Sequence, residues 1–418
     1  MKKKAITFSI LLAIFITLSL LIKRFQFGWP DIAAAIGIIV LVLWFLIQLA
    51  FFKNRKTTLL IGIPAIILYI LILQLVYITW PQGLNGRLWI KANYTSYQWK
   101  SAKPEEFGVN SNELNKELEK LKTSEFIRSF LIVKNGKLVV EEYFNGANAN
   151  CAFNIKSCTK SILSALVGIT VDKGYIKSVD DKMLDYFPEY KDLIMDSNYF
   201  KITIKDLLTM QEGLDVKPKT FKSFTIKEAL LESRFNKKKY KNFEYSSPGT
   251  EILSALVTKV SGMSLFESAD KELCKPIGIH IRNWLKADDG VYIGGADSYL
   301  TARDMARFGY LYLQNGNIDG KQIISEKWIK ESTVSYDSLY SRFSCVEQTG
   351  YGYLWRIGRQ SGYSFYSASG YGGQAIVIVP DLNLVMVFTH FWRNGEEWQK
   401  NEMEGDAFCR LIKMFDNH

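Results

Sequence analysis

The chain has 418 residues, 48% of them hydrophobic, with 52 Lys and Arg against 42 Asp and Glu for a net charge of +10. Residues 1–90 hold nine Lys/Arg and one acid, a net +8, which leaves only +2 for the other 328 and argues against a nucleic-acid footprint there. Three histidines with no His-Glu-x-x-His spacing argue against a zinc hydrolase, and five scattered cysteines describe no disulfide framework.

Three stretches without charge come first: 5–22, 32–52 and 59–80, of 18, 21 and 22 residues. About 20 apolar residues at 1.5 Å rise cross the hydrocarbon core, so each is expected to be a transmembrane helix. Lys23, Arg24 and Phe25 follow the first stretch where a cleaved signal would place small residues. Six basic residues lie before the first stretch and in the loop 53–56, against Lys23 and Arg24 in the other loop. This bias puts the N-terminus in the cytoplasm and everything after Trp80 outside.

Residues 81–104 read as a linker and 105–418 as the exported domain. "SNELNKELEKLKTS" (111–124) has helical periodicity opened by Ser111, and 129–144 reads as two strands around Asn135-Gly136, a strong hairpin signal. The helix that follows is expected to run to about Gly174. The middle, 175–335, reads as mainly helical. Thr203 with Asp206, Thr225 with Glu228 and Thr301 with Asp304 give the hydroxyl-then-acid spacing that satisfies free N–H groups at a helix start. The helix at Thr301 is expected to stop at Asn315-Gly316. "NKKKYKN" (236–242) reads as a solvated loop. Strands are expected from Gly352, with two over 364–390 joined at 380–383, then a helix over about 402–415. The plan is α+β, with one sheet joining both ends of the domain.

Within "NIKSCTKSIL" (154–163), Ser157 and Lys160 stand three apart at a helix start, on one face. Serine attack on an amide or ester needs a base for the hydroxyl proton, N–H donors for the oxyanion and a proton for the leaving group. A partly desolvated lysine amine can accept that proton, and a helix N-terminus favours developing negative charge. Ser268 and Lys271 in "SADK" repeat the spacing but have charged neighbours and read as helix surface. Cys158 has no nearby histidine and reads as a packing residue. No Gly-x-Ser-x-Gly elbow and no phosphate-cradling loop occur, and His390 reads as a strand-end residue. Tyr245 and Ser247 precede a helix in "FEYSSPGTEILSALVTKVSG" (243–262), where a tyrosine near a lysine cation can move protons. "SASGYGGQ" (367–374) is a small-residue strand that a substrate backbone can approach.

The order Ser157-x-x-Lys160, Tyr245-x-Ser247, Ser369-Gly370 resembles the serine β-lactamase and penicillin-binding-protein superfamily. The resemblance is to its class C β-lactamase-like branch, which includes esterases, D-amino-acid peptidases and 6-aminohexanoate-dimer hydrolases. It covers about 105–415 and extends to "LLTMQEGL" (207–214) and "GGADSYLTARDMARFGYLYLQNG" (294–316). It implies an antiparallel sheet flanked by helices with a helical subdomain. It also implies Ser157 as acylated nucleophile, Lys160 as base, Tyr245 as proton shuttle, and the backbone N–H groups of Ser157 and Tyr371 as oxyanion hole. Ser247, Ser369 and Gly370 are the implied substrate-binding residues. Ser247 replaces an asparagine of the second motif and Ala368 replaces the lysine or histidine of the third, which removes the cation that would anchor a substrate carboxylate at that position. The expectation is a multi-pass protein of the bacterial cell membrane with its catalytic domain outside. It needs no cofactor or metal, touches membrane lipid, binds no nucleic acid, and cleaves a small-molecule or peptide substrate, cell-wall peptides among them. The alternative is a receptor acylated by a penicillin without turnover.

Overall fold

The computed structural model describes residues 90–91, 97–215, 225–339, 346–391 and 402–416. The three stretches expected to cross a membrane lie outside them, and among the described residues no helix is long and apolar enough to do so.

Helix α1 (Ser111–Lys122) is capped by Asn110, one residue earlier than expected, whose side chain accepts from the N–H groups of Asn112 and Glu113. Strands β1 (Ile127–Lys134) and β2 (Lys137–Tyr143) form the expected hairpin. Strand β3 (Cys151–Asn154) leads through a tight turn into α2 (Thr159–Asp172), which ends at Gly174 in the left-handed region. In the helical middle lie α3 (Ile204–Leu208), opened by the Thr203/Asp206 capping box, and α4 (Pro248–Ser261). Strand β4 (Ser298–Thr301) pairs with β3 and runs into α5 (Ala302–Leu313), whose cap is Thr301. Then come β5 (Ser338–Leu339), β6 (Gln348–Tyr351), β7 (Arg356–Gln360), β8 (Tyr363–Gly370), β9 (Gln374–Val379), β10 (Leu384–His390) and α6 (Glu402–Met414).

The main sheet is antiparallel in the order β5-β6-β7-β8-β9-β10-β1-β2, so the last strand of the chain pairs with the first hairpin. Its central strands are covered on both faces. Leu131, Val133, Ile376, Ile378, Val385 and Val387 enter one core with α2, α4 and α5. Phe130, Ile132, Val377, Val379, Met386 and Phe388 enter the other with α1 and α6. Successive residues alternate between two apolar environments, so these strands read as continuous apolar runs. The stretch 364–390 lies in three strands where two were expected. Turn 371–373 breaks it, with Gly372 and Gly373 at positive φ.

Part of the expected linker is packed on the domain. Trp99 meets Tyr310 edge to face at 5.7 Å, and Leu138 donates to the Lys100 carbonyl at 2.8 Å.

Candidate active site

The turn that carries Ser157 is built between β3 and α2. Lys156 holds φ at +51°, a conformation that costs about 1–2 kcal/mol for a residue with a Cβ. Its surroundings fix it there: its N–H donates to Asn154 Oδ1 (2.9 Å) and its ammonium to Asp297 Oδ1 (3.1 Å). The Ile155 N–H donates to the Ser298 carbonyl (3.0 Å), and the Thr159 and Ser298 hydroxyls bond at 2.8 Å. Residues Lys156–Cys158 form a 3-10 turn before α2 begins. Ser157 is therefore partly exposed at the mouth, while Lys160, one turn on, is only 2% exposed.

Lys160 Nζ donates to Ser157 Oγ at 3.4 Å and to the Gly295 carbonyl at 2.6 Å. The second contact depends on Glu251 of α4, which accepts from the N–H groups of Gly294 (2.8 Å) and Gly295 (3.0 Å). A Cβ on Gly294 would stand 2.2 Å from the Thr250 carbonyl, and one on Gly295 3.0 Å from Lys160 Nζ, so a larger residue does not fit this loop. Glu251 is buried. Burial pushes its carboxyl up to about 7, against the pull of the two glycine N–H groups and of Lys160.

The Tyr245 ring centroid is 5.1 Å from Lys160 Nζ and 5.5 Å from Arg356 Cζ, and the ring meets Tyr351 edge-on at 6.4 Å. The residue is 42% exposed, and its hydroxyl has no hydrogen-bond partner among the described residues. Below it, Ser246 Oγ donates to Glu212, a second buried carboxyl raised to about 7 by burial. Ser247 stands at the N-cap of α4 and its carbonyl accepts from Thr250. The structure thus gathers Ser157, Lys160 and the Tyr245 ring, but the tyrosine hydroxyl bonds neither of the other two.

The third motif meets the first at Gly370, where a Cβ would lie 2.3 Å from the Ile155 carbonyl. That contact sets the end of β8 and the turn bearing Tyr371, which is 39% exposed, beside the nucleophile turn. Ser369 lies on β8 with its hydroxyl 3.2 Å from that of Ser367. His390 Nδ1 bonds the Gly373 carbonyl (2.7 Å) at the end of β10. Cys158 is buried, its thiol pushed up by that burial, and its Sγ donates to the Gln374 carbonyl. Ser268 differs from expectation: it is buried inside its helix while Lys271 faces solvent, so the repeat of the spacing brings no pair together. Glu212, Glu251 and Arg356 escaped the sequence reading. Each acts on a partner distant in the chain, and only the Gly294-Gly295 pair hinted at a close approach.

A serine hydroxyl bonded by a buried amine is the arrangement of a serine hydrolase. Residues 128–404, about two thirds of the chain, match the Beta-lactamase family, and the chain belongs to it. An uncharacterized protein of Alkalihalophilus pseudofirmus is 28% identical over 312 residues, 64% of this chain and 85% of that protein. The 6-aminohexanoate-dimer hydrolase of Paenarthrobacter ureafaciens is 22% identical over 321 residues, 69% of this chain and 78% of that enzyme. Among solved structures, a Bacillus anthracis protein described as a candidate 6-aminohexanoate-dimer hydrolase matches with a TM-score of 0.60 at 21% identity. The match covers 78% of this chain and 91% of that one.

Proposed function

We propose that the protein is a membrane-anchored serine hydrolase that cleaves an amide or ester outside the cytoplasmic membrane through an acyl-enzyme on Ser157. The observation that carries this is the Lys160 amine, 3.4 Å from Ser157 Oγ and steered by the Gly295 carbonyl. Lys160 takes the Ser157 proton as Oγ attacks the substrate carbonyl, and the backbone N–H groups of Ser157 and Tyr371 receive the oxyanion. The Tyr245 hydroxyl, exposed and unbonded, delivers the proton to the leaving amine or alcohol. Water, deprotonated along the same route, then attacks the ester on Ser157 and releases the acid. The name of the Paenarthrobacter relative supports an amide among the substrates.

Labelling the full-length protein in parallel with a fluorescent fluorophosphonate and a fluorescent penicillin tests the reading. Fluorophosphonate should label Ser157. Persistent penicillin labelling without turnover of any amide or ester would instead identify a receptor.

The anchoring rests on the three uncharged stretches and the six-to-two basic bias, and Cys409, which is disulfide-bonded, fits an oxidising compartment. A phosphatase reporter fused after Trp80 is expected to be active. Activity only when the reporter sits in the loop 53–56 would reverse the topology.

A further inference from the structure

The antiparallel register between β9 and β10 ends at the pair Ala375 and Phe388. Carried two residues further it would set Gly373 opposite His390, but the chain has already turned there, with Gly372 and Gly373 at positive φ. Side chains replace the missing ladder. The Gln374 amide donates through Nε2 to the His390 carbonyl (2.7 Å) and accepts the His390 N–H through Oε1 (3.1 Å), as a strand partner would. The Gly373 carbonyl accepts from His390 Nδ1 at 2.7 Å, and a Cβ on Gly373 would stand 2.8 Å from that nitrogen. Both side chains are buried. The Gln374 carbonyl in turn accepts from the thiol of Cys158, the neighbour of Ser157. The His390–Gln374 pair therefore bears on the turn of Tyr371 and, through Cys158, on the turn of the nucleophile.

We propose that His390 is a positioning residue for the oxyanion hole: its ring, with the Gln374 amide, fixes turn 371–373 so that the Tyr371 N–H meets the oxyanion together with that of Ser157. Two consecutive glycines at positive φ leave the turn few restraints of its own, since a residue without a Cβ adopts either sign of φ at little cost. At one end Gly370 lies close against the Ile155 carbonyl, and at the other His390 supplies the hold. This histidine is no base for Ser157. Its Nδ1–H is committed to a carbonyl, and Lys160 already stands at the serine hydroxyl.

The inference rests on the Ser157 hydrolase reading and deepens it. Its test uses the full-length protein in detergent and two variants of matched shape. His390→Asn keeps an N–H donor on the atom next to Cγ, and His390→Leu puts a methyl there; His390→Ala stands in if the leucine does not fold. Each is assayed on p-nitrophenyl acetate and on its thiono counterpart, whose C=S sulfur is larger and a weaker acceptor, so donors spaced for oxygen favour the ester. His390→Leu should lower kcat on the ester by about tenfold or more with little change in KM, a part of what losing a whole oxyanion donor costs. The thionoester rate should fall less, so the ester-to-thionoester ratio shrinks, and His390→Asn should restore both. A ratio that stays fixed while both rates fall would mark a merely structural residue and overturn the proposal. So would full activity in His390→Leu, or an asparagine variant as poor as the leucine one. Fluorophosphonate labelling of the wild-type protein reports the serine chemistry separately. A wild-type protein that neither labels nor turns over the ester would end the hydrolase reading, and this inference with it.

Discussion

Ser157→Ala is expected to abolish fluorophosphonate labelling and turnover together, and Lys160→Ala to cost nearly as much. The two groups act as one unit: the hydroxyl without the amine keeps its proton, and the amine without the hydroxyl has nothing to deprotonate. Their losses therefore do not add, and the double variant should resemble either single one. Tyr245→Phe keeps the ring beside Lys160 and Arg356 and deletes only the hydroxyl. It should lose on the order of 10²-fold or more in kcat, the usual worth of a positioned acid–base group. Because that hydroxyl is unbonded in the free protein, folding stability should barely change, which separates a catalytic loss from a structural one. Ser268→Ala should leave labelling intact. Steady-state rates and gel labelling on the four single variants decide the matter. A Ser157→Ala protein that still labels, or a Tyr245→Phe protein at full rate, would remove the proposed roles.

How much of this was legible in the sequence depended on the range of each interaction. Asn135-Gly136 announces its hairpin, and Thr203 with Asp206 and Thr301 with Asp304 announce their helices, because donor and acceptor lie within four residues. Turn 371–373 reads as strand because its glycines also suit a strand approached by substrate, whereas the boundary between β9 and β10, both apolar on two faces, is marked by Pro380 and Asn383. The burial of Ser268 had no local signal, since its charged neighbours suggested solvent. The Ser157–Lys160 pair was visible because one helical turn brings it together. What orients the lysine was not, for the acceptor lies 135 residues away. The stretches 5–22, 32–52 and 59–80 lie outside the described residues, so they remain a reading of hydropathy.

Glu251→Gln should lower kcat by about tenfold or more with little change in KM, and should alter the pH profile. The carboxylate bonds both glycine N–H groups and so holds the Gly295 carbonyl 2.6 Å from Lys160 Nζ. A glutamine has one acceptor oxygen, so its amide turns an N–H toward one of those donors. The carbonyl then loses its bearing on the lysine, while residues that face substrate are untouched. The groups facing Glu251 are Lys160, which favours its ionised form, and Asp297, which opposes it. Burial outweighs both and raises the carboxyl from its ordinary 4.5 to about 7. Protonation of Glu251 therefore stabilises the folded protein, an increment fully present below about pH 4.5 and lost as pH rises through 7. Activity should run the other way, rising through about 7 as the ionised carboxylate takes up both N–H groups. Glutamine removes the titrating group, so both dependences should flatten in Glu251→Gln, one followed by denaturant midpoints from pH 5 to 8 and the other by kcat over the same range. An acid limb near 7 that persists unchanged in Glu251→Gln belongs to another group, with Glu212 next in line, and would end the assignment of Glu251 as the residue that positions Lys160.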